Sequence, residues 1–110
     1  MLNASAGATE QDLEQLTSLF RLLSDRTRLN ILFSLAGGEK NVTSLCQELG
    51  LPQPTVSHHL GLLRMSNVIN NRRNGKQVFY SLNGRLDAAD GGTLEMRLEN
   101  FLVTVSGKSG

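Results

Sequence analysis

The sequence predicts a mainly helical domain that carries one small β-hairpin. Leu dominates the apolar residues, aromatic side chains make up only 5% of the chain and Trp is absent, which favours helix-on-helix packing. Apolar residues recur at helical spacing in several segments, and a glycine-containing turn separates two of them. In the second half of the chain, two β-branched or aromatic clusters flank an Asn-Gly pair, the strongest short signal for a hairpin.

The length of 110 residues predicts a single domain, which we place at residues 10–105. Segments 1–9 and 106–110 are small and polar, and we expect them to be disordered tails. Cys46 is the only cysteine, so an intrachain disulfide is excluded. The first ten residues lack the basic and apolar regions of a signal peptide, and no apolar run is long enough to span a bilayer. We therefore expect a cytoplasmic protein with no membrane partner.

The first predicted helix runs from about Glu10 to Leu23. Leu13, Leu16 and Phe20 fall on one stripe of this helix, at the spacing of successive turns. Further leucines widen the apolar face, which suggests that the helix contacts both the core and a second partner.

A second helix is predicted from about Arg26 to Leu35. Ser24 and Asp25 precede it and offer an N-cap, and Gly37-Gly38 ends it. Its apolar positions, Leu29, Ile31, Leu32 and Leu35, are expected to face the core.

A helix-turn-helix follows. The sequence predicts a short third helix over about Ser44 to Leu49, with Thr43 as its N-cap, and a turn at Gly50-Leu51-Pro52. A fourth helix begins near Pro54, because proline is tolerated in the first turn, where its missing N–H is not needed.

The fourth helix has a buried stripe of Val56, Leu60 and Leu63, and this stripe fixes which residues face outward. The outward positions are Thr55, His58 and Gly61, with Ser57 at the margin and Gln53 just before the helix. This outward face is polar and slim, and Gly61 leaves room for close approach, as entry into a DNA major groove requires.

A basic hairpin comes next. Val68-Ile69 and Val78-Phe79-Tyr80 flank a segment that runs from Arg72 to Lys76, with Asn74-Gly75 as the expected centre of the turn. Residues 51–82 hold four basic residues and not one Asp or Glu, whereas acids slightly outnumber bases in the rest of the chain. Such a charge distribution is an electrostatic footprint for a polyanion, here double-stranded DNA.

A last helix is predicted from about Leu94 to Val105. The leucines of the first and last helices exceed what one small core needs, which hints at a homodimer interface. The candidate dimerisation residues are Leu13, Leu16, Phe20, Leu94, Leu98, Phe101, Leu102 and Val105.

The candidate DNA contacts fall into a reading part on the fourth helix and a clamping part on the hairpin. The full set is Gln53, Thr55, Ser57, His58, His59, Arg64, Arg72, Arg73, Asn74 and Lys76. Gln can bond adenine bidentately, and Ser and Thr can bond base edges or phosphates. Lys and Arg on the hairpin would supply salt-dependent affinity that is blind to sequence.

Other interpretations exist for some of these residues. His58 and His59 point about 100° apart on a helix and do not easily chelate one metal ion, so a packed or hydrogen-bonded role is the alternative for His59. Cys46 is most simply a small core residue. The whole domain could instead be a protein-interaction module or a non-specific DNA-binding protein. An enzyme is disfavoured, because no nucleophile–base pair, phosphate loop or metal cluster is visible.

At these residues the chain resembles the ArsR/SmtB family of winged helix-turn-helix repressors. The segments that carry the resemblance are SDRTRLNIL (24–32), LGLPQPTVSHHLGLLR (49–64) and RRNGKQVFYSL (72–82). The resemblance implies a homodimer of α-α-α-α-β-β-α subunits that uses its first and last helices for dimerisation and reads an inverted repeat. It also implies repression of a nearby operon, relieved by an inducer.

The chain departs from the best-known members of that family at the positions that bind the inducer. Metal-sensing relatives often carry Cys-Val-Cys at the start of the third helix, where this chain has Asn41-Val42-Thr43. Cys46 matches a further thiol position but stands alone, and no His follows His59 to serve as a zinc ligand on the last helix. We therefore expect no metal site and no cofactor, and the inducer stays unknown.

Overall fold

The computed structural model describes residues 7–84, 86–88 and 93–107. Its elements in chain order are α1 (Glu10–Leu23), α2 (Arg26–Ala36), β1 (Lys40–Asn41), α3 (Val42–Leu49), α4 (Gln53–Met65), β2 (Ile69–Asn74), β3 (Gln77–Leu82), β4 (Leu86–Ala88), β5 (Leu94–Arg97) and β6 (Leu102–Val105). The predicted winged helix-turn-helix is confirmed, because α3 and α4 form the helix-turn-helix and β2 and β3 form the hairpin. Of the predicted tails, residues 1–6 and 108–110 lie outside the described residues.

The first two helices begin at side-chain caps. Thr9 and Asp12 form a capping box on α1, in which each side chain accepts a hydrogen bond from the other residue's backbone N–H. Asp25 caps α2, as the sequence predicted, by accepting a hydrogen bond of 3.0 Å from the Arg28 N–H. The bounds of α1 agree with the prediction, and α2 extends one residue further.

The third helix begins two residues earlier than predicted, and its N-cap is Asn41 rather than Thr43. The Asn41 backbone is extended, and its Oδ1 accepts a hydrogen bond of 2.8 Å from the Ser44 N–H. Asn is among the best N-cap residues, so it takes this position ahead of Thr43. The helix ends at Gly50, whose φ of +67° lets the chain turn into α4.

The core lies where the helices meet the hairpin. The predicted inward positions of α2 and α4 are buried except Leu29, which is half-buried against the core. Ile31, Leu32, Val56 and Leu63 are fully inaccessible. Leu45 of α3 is equally buried. This shared packing fixes the angle of α4 and so decides which of its faces reaches solvent.

The hairpin belongs to a three-stranded antiparallel sheet with the order β1-β3-β2. The two residues of β1 pair with the middle of β3, so Lys40 lies opposite Tyr80 and Asn41 opposite Phe79. The sequence did not predict β1, because a strand of two residues has no periodicity of its own. It brings the chain segment before α3 alongside the hairpin.

The predicted last helix from Leu94 to Val105 is wrong. This segment forms β5 and β6, which pair with β4 in a second three-stranded antiparallel sheet of order β4-β5-β6. Leu94 and Met96 are buried while Arg97 is exposed, an alternation that fits a strand. The β-branched residues of β6 also favour a strand, and the leucine spacing satisfies both patterns.

The second sheet packs against the helical part of the domain. Leu86, Leu94 and Met96 join the same hydrophobic core as the helices. Nδ2 of Asn100, in the turn between β5 and β6, donates a hydrogen bond of 2.9 Å to Oδ1 of Asp12. In the part of the chain that the structure describes, no helix has the length and apolar character needed to cross a membrane.

Candidate nucleic-acid interface

The outward face of α4 is set by its buried stripe. Val56, Leu60 and Leu63 are at most 1% exposed, as predicted, so the opposite side of the helix is turned to solvent. Gln53, His58, Gly61 and Arg64 are exposed there, and Thr55 and Ser57 are half-buried at the margin. The helix therefore presents a polar surface without an acidic residue.

The beginning of α4 carries the proposed reading residues. Gln53 is the first residue of the helix rather than the residue before it. Its Nε2 donates a hydrogen bond of 3.3 Å to Ser57 Oγ, one turn further along the same face. This contact fixes the amide at the exposed end of the helix, where its oxygen is left to accept a bond from a ligand.

The two neighbouring histidines face different surroundings. His58 is exposed, whereas His59 is half-buried and directed towards the start of α2. Nδ1 of His59 lies 3.5 Å from Nη1 of Arg28 and 3.8 Å from Oδ2 of Asp25. The Arg28 guanidinium also donates a hydrogen bond of 2.7 Å from Nε to the carbonyl of Leu22. His59 is thus placed as a contact between helices, and His58 as a surface residue.

The Asp25 carboxylate at this junction is stabilised in its ionised form. The hydrogen bond from the Arg28 backbone N–H lowers the pKa of Asp25, and the nearby His59 and Arg28 side chains lower it further. The Asp25 carboxylate and the Arg28 side chain together link the end of α1, the beginning of α2 and the middle of α4.

The hairpin turn is displaced by one residue from the predicted Asn74-Gly75. Asn74 pairs with Gln77, so the two residues of the turn are Gly75 and Lys76. Only the first of these has a positive φ, +66° at Gly75, which fits a turn that needs glycine at its first central position. Lys76 is consequently at the tip of the hairpin and is exposed.

Arg72 and Arg73 point to opposite faces of β2, because side chains alternate along a strand. Arg72 lies opposite Phe79, with its guanidinium carbon 4.9 Å from the centre of that ring. Arg73 lies opposite Val78 on the other face of the hairpin.

The Arg72 guanidinium forms an ion pair with Glu39, which lies outside the segment 51–82 that holds no Asp or Glu. Its Nε and Nη2 donate hydrogen bonds of 2.8 and 2.7 Å to the two carboxylate oxygens of Glu39, just before β1. Hydrogen bonding to Arg72 lowers the pKa of Glu39, so this carboxylate is ionised. Sequence reasoning missed Glu39, because only the pairing of β1 with β3 brings it next to the hairpin.

Three basic side chains of the predicted set are without an ion pair among the described residues. They are Arg64 on α4, Arg73 on β2 and Lys76 at the turn, and all three are exposed. A groove of about 590 Å³ connects the helix to the hairpin, with Arg64 on one side and Asn70 and Asn71 on the other. The exposed face of α4 and the base of the hairpin thus form one continuous, basic and amide-rich surface.

The predicted dimerisation residues separate into two groups. Leu13 and Phe20 of α1 are 41% and 53% exposed, and Leu102 and Val105 of β6 are also exposed. Leu16, Leu98 and Phe101 are half-buried, and Leu94 is buried inside the subunit itself. Exposed Phe33 and Met65 were not in the predicted set.

The residues considered for metal binding are dispersed in the structure. Asn41 caps α3, and Cys46 is half-buried on the same helix. Within residues 7–84, 86–88 and 93–107, no three His, Cys, Asp or Glu side chains approach one another closely enough to hold a metal ion.

The chain is similar in sequence to a known group of proteins. A sequence model described as "Bacterial regulatory protein, arsR family" matches residues 25–71. The chain is 41% identical over 78 residues to a biofilm growth-associated repressor of Xylella fastidiosa, an alignment that covers 67% of this chain and 68% of the repressor. It is 45% identical over 64 residues to the HTH-type transcriptional regulator KmtR of Mycobacterium tuberculosis, covering 58% of this chain but only 49% of KmtR.

A solved structure shares the fold. The homodimeric winged helix-turn-helix DNA-binding domain of Mb0332 from Mycobacterium bovis, a possible ArsR-family transcriptional regulator, superimposes with a TM-score of 0.62 at 29% identity. The superposition covers 72% of this chain and 76% of the Mb0332 domain.

Proposed function

The chain belongs to the ArsR family of bacterial regulatory proteins, and we propose that it is a homodimeric transcriptional repressor that binds an inverted-repeat operator. The observation that carries this proposal is the polar, acid-free face of α4 beside a hairpin whose Arg73 and Lys76 are exposed and unpaired among the described residues. Regulation of transcription rather than catalysis also fits the relatives, which are named as repressors and regulators.

Within this proposal, α4 is the recognition helix and the β2–β3 hairpin is the wing. Gln53 and His58 lie on the exposed face and Thr55 and Ser57 at its margin. All four are in the N-terminal half of α4, the part of such a helix that reads base edges. Arg64, Arg73, Asn74 and Lys76 would contact the phosphate backbone around the site. His59 would support the helix from behind through its contacts with α2.

The proposed homodimer rests on the exposed apolar side of α1. Leu13 and Phe20 lie one above the other on this helix, seven residues apart, and each is more than two-fifths exposed. The Mb0332 domain, which shares the fold, is homodimeric. Two recognition helices related by a two-fold axis would meet half-sites about 34 Å apart, one turn of DNA.

We further propose that operator binding in the cytoplasm needs no metal. The donors at the start of α3 are those of Asn41, Val42 and Thr43, none of which is a soft ligand, and Cys46 is a single thiol. Titration of the protein–DNA complex with metals, oxidants and metabolites identifies any inducer that releases the protein from DNA.

A binding selection from random duplexes tests the proposed function. We expect enrichment of one palindromic sequence and retention of a shifted complex with the promoter upstream of the protein's own gene, with and without a chelator. Recovery of no palindrome, with equal binding to random duplex and heparin, would instead favour a non-specific DNA-binding or protein-interaction module. Loss of the shifted complex in the presence of the chelator would contradict the metal-free part of the proposal.

Size-exclusion chromatography with light scattering tests the dimer. We expect the native chain to elute as a dimer and Phe20→Glu to elute as a monomer, because a buried carboxylate would oppose the apolar contact. Phe33→Glu is the matched control, because it introduces the same charge on a different exposed surface. A dimer that is lost equally in both variants would contradict the assignment of α1.

A further inference from the structure

The ion pair between Glu39 and Arg72 crosses the whole first sheet. Arg72 starts on β2, lies over Phe79 of the central β3, and reaches Glu39 at the beginning of β1. Asn41 of β1 reaches β3 on the same face, since its Nδ2 donates a hydrogen bond of 3.0 Å to Oε1 of Gln77. Arg72 is therefore held in one orientation by a carboxylate and by an aromatic ring.

Glu39 occupies two of the Arg72 donors that a phosphate could otherwise use. Nε and Nη2 form one edge of the guanidinium, and this edge binds carboxylate and phosphate with the same bidentate geometry. A guanidinium edge cannot serve both partners at once. The Arg72 side chain is 54% exposed and that of Glu39 is 33% exposed, so the pair lies at the surface, where DNA phosphates could reach it.

We propose that Glu39 competes with DNA phosphate for Arg72 and thereby keeps this arginine out of the DNA contact. The inference rests on the proposed DNA-binding function and deepens it. The wing then binds backbone through Arg73 and Lys76, while Arg72 stays on the opposite face of β2. Glu39 is a positioning residue that limits the affinity of the wing, and its removal adds a phosphate contact that the native protein lacks.

Competition between Glu39 and a phosphate for Arg72 requires no change of fold. The pKa of Glu39 is lowered by its hydrogen bonds from Arg72, so the carboxylate keeps its charge throughout the neutral range. An exposed ion pair contributes little to stability, which means that removing Glu39 leaves the domain folded.

The test compares four proteins by fluorescence anisotropy on one operator duplex between 50 and 300 mM salt. They are the native chain, Glu39→Gln, Glu39→Gln/Arg72→Gln, and Glu14→Gln as a control that removes one exposed acid from α1. We expect Glu39→Gln to bind roughly two- to fivefold more tightly than the native chain, as for a newly formed surface charge contact. Its log K against log salt should steepen by about 0.9, the slope for one additional neutralised phosphate.

The double variant separates a specific contact from a change of net charge. It has the same net charge as the native chain, so we expect its affinity and salt slope to return to native values. An affinity of Glu39→Gln no higher than that of Glu14→Gln would overturn the proposal, and so would a double variant that still binds as tightly as Glu39→Gln.

Failure of the proposed function would look different. If the native chain and all variants bound no duplex in a salt-dependent manner, both the DNA-binding function and the inference built on it would be wrong. If binding persisted but Glu39→Gln matched the native chain in affinity and slope, the inference alone would be wrong.

Discussion

Oδ2 of Asp25 lies 3.8 Å from Nδ1 of His59, and the same oxygen accepts the hydrogen bond that caps α2. One carboxylate therefore caps α2 and faces the middle of α4. Arg28 completes the junction, because its guanidinium lies between His59 and the carbonyl of Leu22 at the end of α1. The position of the exposed face of α4 thus depends on the N-cap of α2 as well as on the core.

Replacement of Asp25 by Ala should destabilise the domain. The N-cap hydrogen bond to Arg28 would be lost, and loss of such a cap costs about 0.5–2 kcal/mol. For a domain of this size each kcal/mol lowers Tm by roughly 4–8 °C. Thermal unfolding followed by circular dichroism measures the change.

Asp25→Asn is the matched variant, because its amide oxygen can still cap α2 while the negative charge is removed. We expect it to retain most of the stability that Asp25→Ala loses. Equal destabilisation by both variants would show that the charge beside His59 and Arg28, rather than the cap, is what the domain requires.

Acid should unfold the domain partly through Asp12. The pKa of Asp12 is lowered in the folded state, first by the hydrogen bond from the Thr9 N–H and then by that from Asn100 Nδ2. A lowered folded pKa means that its contribution is fully present above the unfolded value of about 3.9 and is lost as pH falls through the folded value. Urea unfolding between pH 7 and pH 2.5 should show stability falling from about pH 5 downwards.

Two variants test this contribution: Asp12→Asn removes the titrating carboxyl group, and Asn100→Ala removes one of its two hydrogen-bond donors. Asp12→Asn should be less stable at pH 7 and show a shallower loss in acid. Asn100→Ala should show a smaller change of the same kind, because the Thr9 capping box remains. An unchanged acid dependence in Asp12→Asn would assign the loss to other carboxylates with lowered pKa values, such as Asp25 or Glu48.

The sequence predicted the elements whose signals are local. The bounds of α1 and the buried stripe of α4 follow from helical spacing and caps, which are readable one segment at a time. β1 was missed because two residues become a strand only when β3 pairs with them. The leucine spacing from Leu94 to Val105 predicts a helix, whereas the buried residues of this segment alternate as in a strand.

In the candidate site, too, the sequence predicts features with local signals but not contacts between distant segments. The exposure of Gln53, His58 and Lys76 follows from the sequence, because each lies outside a recognisable apolar pattern. The difference between Arg72, which is paired with an acid, and Arg73 does not follow from the sequence. It depends on the Glu39 carboxylate, 33 residues before Arg72 in the chain. A basic run read from sequence therefore overstates how many of its charges are available to DNA.

Arg73 and Gln53 should affect DNA binding in different ways. Arg73→Ala removes an exposed charge that has no ion pair among the described residues, so it should weaken binding to every duplex and reduce the salt slope by about 0.9. Gln53→Ala removes a side chain that can bond base edges, so it should change the preferred sequence and leave the salt slope unchanged. Anisotropy titrations over salt, together with a repeated binding selection, measure both.

Lys76→Ala is a useful companion, because Lys76 lies at the tip of the same wing and should behave like Arg73→Ala. If Gln53→Ala and Arg73→Ala altered affinity and preference in the same manner, the division into a reading helix and a clamping wing would be refuted.

Gly61→Ala should raise stability and weaken DNA binding at the same time. Gly61 lies within α4, and a Cβ built there meets no atom within 4 Å, so alanine fits the fold without strain. Alanine in a helix interior is favoured over glycine by roughly 0.5–1 kcal/mol. The added methyl group would nevertheless project from the exposed face, where the helix would approach the floor of the major groove.

Gly50→Ala provides the opposite case in the turn before α4. Its φ of +67° is unfavourable for alanine, so the variant should lose roughly 1–2 kcal/mol of stability while the exposed face of α4 keeps its composition. Parallel measurements of unfolding free energy and operator affinity separate the two effects. Because stability and affinity would move in opposite directions only at Gly61, such a result would attribute its missing side chain to DNA contact. Native affinity in a stabilised Gly61→Ala would place the centre of α4 away from the groove.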